Sequence, residues 1–159
     1  MVDLQFRKTS LLIFLLCLFY GCGKSTSESA SSIESAPSFS TETVHINTAT
    51  QTLSFTVEVA DTNEKRSYGL MNRTSLETNH GMIFIFDSED THSFWMKDTY
   101  IALDMIFVDA QKHVIYIEEN TTPLSETPIT PTSPSQYVLE VPAGTANTND
   151  INIGDTLVF

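Results

Sequence analysis

Basic side chains are scarce in this 159-residue chain: eight Lys and Arg stand against 20 Asp and Glu. Four of them, Lys65, Arg66, Arg73 and Lys97, fall in two short stretches, and the only tryptophan, Trp95, lies beside Lys97. A guanidinium holds a carboxylate or phosphate through two parallel hydrogen bonds, and an indole offers a flat face to a sugar or another ring. Asp104 is a single charge inside the apolar run Leu103 to Val108. Arg66, Arg73, Trp95, Lys97 and Asp104 therefore form a candidate ligand-binding set for a small anionic or glycan ligand. The same residues also read as structural ion pairs, with Arg66 or Arg73 on Asp104 or Asp61 pinning a helix to a sheet. Buried charges require such partners, and the structural role is the commoner one.

Other chemistries find weaker patterns. Met71, Met82, Met96 and Met105, with His80 and His92 near them in sequence, are residue types that ligate Cu(I). They lack compact H-x-H or M-x-x-M spacing, and three of the methionines sit among strand-forming apolar residues, as core filler does. No G-x-S-x-G, H-E-x-x-H or S-x-x-K pattern is present, so no catalytic residue is assigned. A paired-carboxylate enzyme acting on a glycan or cell-wall component through Asp104 with Asp98 or Asp109 is the alternative to a non-enzymatic binding module. Asp87-Ser88-Glu89-Asp90 reads as a turn rather than a calcium loop, and no cofactor or resident metal is called for. The net charge of -12 argues against nucleic acid, whose binding needs clustered Lys and Arg.

The elements that must carry these residues begin after an export signal. Arg7 and Lys8 precede the apolar run Leu11 to Phe19, followed by Tyr20-Gly21-Cys22. That run is shorter than the roughly 20 residues a spanning helix needs, so residues 1–21 read as a signal peptide. A small residue before Cys22 is similar to a lipobox, which makes acylation of Cys22 with palmitate-type chains the expectation. The chain would then be a bilayer-anchored lipoprotein of the cell envelope. Gly23 rather than Asp after the cysteine favours the outer membrane, facing the periplasm. Cys17 would be removed with the signal, leaving a domain without a free thiol in an oxidising compartment.

Residues 22–42 are Ser-rich and read as a flexible tether. Beyond them Leu53, Phe55, Val57 and Val59 alternate with Ser54, Thr56 and Glu58, the period of a half-buried strand. His45 and Ile46 belong to a preceding strand of the same hairpin. Asp61 and Glu64 suit the start of a short helix that Gly69 ends. Further strands are expected at residues 81–86, 92–97, 103–108, 113–118, 136–141 and 156–159. A tight turn falls at 109–112, and a short turn or helix at 145–150. Thr121 to Pro134 holds four prolines and is a loop. The expectation is one compact, mostly β (α+β) domain over residues 43–159: a barrel or sandwich of about eight short strands with one or two short helices.

Several segments carry a resemblance: Gly69-Leu70-Met71-Asn72-Arg73, Gly81-Met82-Ile83-Phe84-Ile85-Phe86, Phe94-Trp95-Met96-Lys97-Asp98-Thr99, Leu103 to Asp109 and Tyr137 to Val141. In this order and spacing they resemble the bacterial and archaeal family called domain of unknown function 192, over nearly all of 43–159. The resemblance implies a compact, mostly β domain, often exported, and no established activity. The chain has Asp98 where that family usually has Asn, Ala102 where it usually has Pro, and no cysteine in the loop from Leu124 to Ser135.

Overall fold

A computed structural model describes residues 36–159. The segment expected to be a signal peptide (1–21), Cys22 and residues 23–35 of the expected tether lie outside the described residues. The chain runs β1 (Thr41–Asn47), β2 (Thr52–Ala60), α1 (Asn63–Tyr68), β3 (His80–Asp90), β4 (Leu103–Val108), β5 (Val114–Glu118), β6 (Ser135–Pro142), α2 (Thr145–Thr148) and β7 (Thr156–Val158). The strands form one sheet in the order β5-β4-β6-β3-β2-β1-β7. Only β2 and β3 are parallel, and a parallel pair needs a crossover, which α1 and the loop after it supply.

The sheet curls into a half-barrel. A bridge between His113 and Thr156 brings the β7 edge against the turn before β5, and Leu157 N donates to the Lys112 carbonyl at 2.8 Å. Curling gives the sheet an inner and an outer face, and each carries a core. Val44, Phe55, Val57, Ile83, Ile106 and Leu139 belong to the inner one. Met82, Phe84, Met105, Phe107 and Val138 form the outer one, with Leu70 and Met96 laid over them. All six residues of β4 are buried, because both of its faces are covered.

The β1–β2 hairpin and the mostly β architecture with two short helices match the sequence reading. Seven strands form rather than about eight, because residues 92–97 make a single bridge, Phe94 to Ile129. Both edges of β3, the strand just before it, are taken by β2 and β6, so this segment cannot form a hairpin with β3. It crosses the outer face instead, where Phe94 meets Phe84 and Phe107 edge-on at 5.0 and 5.6 Å. Strand β1 begins at Thr41, which pairs with Glu58, and Val59 N donates to the Ser40 carbonyl at 2.9 Å. At α1 the N-cap is Thr62, whose hydroxyl accepts from Lys65 N at 3.2 Å. Asp61 instead pairs with the Lys65 ammonium at 2.8 Å.

Candidate functional site

A cleft of about 600 Å³ opens on the outer face, between α1 and the segment that follows β3. Arg66 comes from α1, which ends where Gly69 turns to a φ of 51°. Its Nη1 donates to the Ile85 carbonyl and its Nη2 to Asn63 Oδ1, both at 2.6 Å. The guanidinium carbon lies 5.1 Å from the centre of the Phe86 ring. Two donors are thus committed to holding the head group in place, and the remaining N–H groups of its fork have no protein partner among the described residues.

Trp95 and Lys97 are presented by a tight loop with a local cause. Met96 is 1% exposed and anchors the loop in the outer core, and Met96 N donates to the Ser125 carbonyl at 2.8 Å. Thr99 N turns back to the Met96 carbonyl at 3.1 Å, and Asp98 between them has a φ of 53°. Asp and Asn tolerate that left-handed conformation better than other side chains, so either suits position 98 through its backbone. The Asp98 carbonyl accepts from Asn72 N at 2.8 Å, tying the loop to the end of α1. With Met96 pointing in, its neighbours on both sides point out. Trp95 is 49% exposed, and the Lys97 ammonium lies 5.5 Å from its ring centre.

The floor of the cleft holds a residue that sequence reasoning missed. Glu140 on β6 is 4% exposed and lines the cleft with Thr99 and Phe84. It faces the outer core because it shares the parity of Val138, and it lies between Met82 of β3 and Met105 of β4. Among the described residues nothing hydrogen-bonds its carboxyl, and burial alone pushes its pKa up to about 8. Gly81 makes this geometry possible, since a Cβ there would stand 2.3 Å from the Glu140 carbonyl oxygen. The sequence signal was a lone acid in the apolar strand Tyr137-Val138-Leu139-Glu140-Val141. His92 stacks on Phe86 at 3.5 Å and lines the same cleft. Burial is the main influence holding its imidazole below the ordinary value, against opposing effects of Ser88 and Asp90.

Of the five candidate residues, the fold brings Arg66, Trp95 and Lys97 together and leaves two elsewhere. Asp104 is fully buried on the inner face. Its Oδ1 accepts from Asn120 N at 2.8 Å and Gly144 N at 3.1 Å, and its Oδ2 from Ala146 N at 2.8 Å. It holds two loops at the end of the half-barrel and does not line the cleft. Arg73 donates from Nη2 to both carboxylate oxygens of Glu58 on β2, at 2.8 and 2.6 Å. Neither arginine pairs with Asp104 or Asp61: Asp104 is satisfied by backbone, and Lys65 reaches Asp61 one helical turn away. Met82, Met96 and Met105 are buried in the outer core, and Met71 borders the cleft. Glu140 is the only carboxyl among the residues lining the cleft.

The comparisons bear on the family and the fold. The family model DUF192, described as an uncharacterized ACR, matches residues 44–159. A UPF0127 protein of Thermococcus gammatolerans is 32% identical over 106 residues, and the match spans 64% of each chain, just under two thirds of that relative. A crystal structure from Sinorhizobium meliloti 1021, described as a candidate transcription regulator, superposes with a TM-score of 0.75 at 38% identity, covering 78% of this chain and 97% of that one. A protein of unknown function from Novosphingobium aromaticivorans superposes with a TM-score of 0.74 at 32% identity, covering 78% of this chain and 94% of its own.

Proposed function

The chain belongs to the DUF192 family, and we propose that it is a binding module of the cell envelope, held on a bilayer through acylated Cys22. Its ligand is a small anionic molecule or glycan. The observation that carries this reading is the cleft itself. Arg66, Trp95 and Lys97 converge at its rim over a wall that mixes polar groups with apolar side chains such as Leu70, Phe84 and Phe94, a lining that suits a polar small molecule. A two-carboxylate glycosidase finds no support here, because Glu140 has no second carboxyl facing it across the cleft. A route through Asp104 fails on position, since that residue is enclosed on the opposite face of the sheet.

The regulator description of the Sinorhizobium relative is not carried over as DNA binding. A net charge of -12 repels phosphates, and among the described residues Lys65 and Arg73 are held in ion pairs, Arg66 and Lys97 lie at the cleft rim, and Lys112 lies over the Tyr137 and Phe159 rings. The envelope location rests on the pattern of Arg7-Lys8, the apolar run 11–19 and Gly21-Cys22.

The test is a thermal-shift screen of the purified full chain against envelope metabolites, anionic sugars and glycans. A ligand selective for the folded state, at a hundredfold its Kd, adds about 2.7 kcal/mol to stability. Trp95→Ala and Lys97→Ala are expected to weaken that ligand at least about tenfold, the ordinary cost of losing a stacking face or a charge-assisted bond. A ligand unaffected by both variants would place the binding surface elsewhere.

A further inference from the structure

We propose that Glu140 is the recognition group at the floor of the cleft, hydrogen-bonding a hydroxyl of an anionic sugar whose charged group meets Arg66 and Lys97 and whose ring lies on Trp95. The inference rests on the binding-module reading above and names its ligand class.

The floor of the cleft carries a nearly buried carboxyl with no protein partner among the described residues. Glu140 is 96% enclosed, lines the cleft and has no hydrogen-bond donor or acceptor from the described residues. Its oxygens are not among the fully sealed polar atoms without a partner, which among the described residues are His92 Nε2 and Ser135 Oγ, so they open to the cleft, where a ligand or ordered solvent completes them. An apolar residue of similar size would pack more favourably between Met82 and Met105 if the position served packing alone.

The protonation state narrows the chemistry. With the pKa raised to about 8, the group is a neutral acid at neutral pH. It then offers one O–H donor and a carbonyl acceptor, the pair a sugar hydroxyl needs. A cationic ligand would have to displace the proton and pass Arg66 and Lys97 at the rim. An anionic ligand is drawn by those same cations, and its uncharged hydroxyl end suits the uncharged floor. Trp95, half exposed beside Lys97, supplies the stacking face between the two ends.

Alkaline pH should weaken this complex. Above about pH 8 the floor loses its donor and places a negative charge beneath an anionic ligand. The other titratable groups facing the cleft are Arg66 and Tyr68 from α1, and His92 and Lys97 from the segment after β3. Burial holds His92 below its ordinary value, so its titration falls on the acid side of this window.

The experiment titrates the full chain with D-glucuronate, D-glucose 6-phosphate, D-glucose and D-glucosamine, and repeats the series with Glu140→Gln and Glu140→Leu. A uronate and a sugar phosphate share the required chemistry, and the two arms tell which anion the rim prefers. At least one of these two is expected to bind more tightly than glucose or glucosamine. Its affinity falls as pH rises through about 8. Glu140→Gln keeps a donor and an acceptor, so it should bind within a few fold and lose the alkaline fall. Glu140→Leu should lose about tenfold or more. If Leu prevents folding, the flat pH profile of the Gln variant still decides the matter. Binding that depends on Trp95 but ignores both Glu140 variants would overturn the role of Glu140 and leave the binding module standing. Preference for glucosamine, rising affinity toward pH 8, or no binding of either anion at millimolar concentration would also overturn it.

Discussion

Asp104 and Glu140 are buried carboxyls on neighbouring strands, facing opposite sides of one sheet. Asp104 has three backbone N–H donors within 3.1 Å. Glu140 has none, so for it the neutral form is favoured. Asp104→Asn would set an amide N–H₂ against at least one of those backbone donors. It is expected to cost about 1–3 kcal/mol in denaturant unfolding while leaving the cleft and its ligand unaffected. Glu140 makes the fold itself pH-dependent. Its pKa is about 8 in the folded chain against an ordinary value of 4.5, so the folded state holds a proton that the unfolded chain releases. Stability is therefore fully present at acid pH and falls as pH rises from 4.5, by up to about 1.4 kcal/mol per unit, levelling off above about 8. Denaturation midpoints across that range should slope for the native chain and lose this component in Glu140→Gln. An unchanged slope in the variant would mean that another group titrates.

At the level of elements, two local devices build the cleft. The first is the loop from Trp95 to Thr99, where a buried Met96 and a left-handed Asp98 turn alternate side chains outward. The second is the close approach of β3 and β6 at Gly81. Gly81→Ala would drive a methyl into the Glu140 carbonyl, and backbone cannot step aside as a side-chain tip can. We expect about 1–3 kcal/mol of destabilisation, read from the melting transition, together with weaker cleft binding, because β6 must shift to accommodate the methyl. The alternation of β2 and the Gly69 stop of α1 were readable from neighbours in sequence. The segment 92–97 was not: it has the alternation of a strand, but both edges of β3 are occupied and it makes a single bridge to Ile129 instead.

For the molecule as a whole, the proposed anchor at Cys22 would complement the acidic composition: acidity would keep the body off anionic lipid while acyl chains held it near the membrane. Cys22→Ser is expected to abolish incorporation of labelled fatty acid and to move the chain from the membrane to the soluble fraction. Unchanged fractionation would remove the anchor from the account. Sequence alone determined what depends on residues a few positions apart. It settled the β-rich character, the β1–β2 hairpin, the short helix, the Asp109–Lys112 turn and the proline-rich loop, and its motif order pointed to the family. It also singled out Arg66, Trp95 and Lys97, whose two stretches meet only after folding. Which carboxyl shares their cleft was decided by tertiary structure. A strand shows alternate residues to opposite faces, so Asp104 and Glu140 look alike as lone acids in apolar strands. Only the long-range register of β3, β6 and β4, and the choice of which face α1 and the Trp95 loop cover, send one inward to bind backbone and the other outward to the cleft floor.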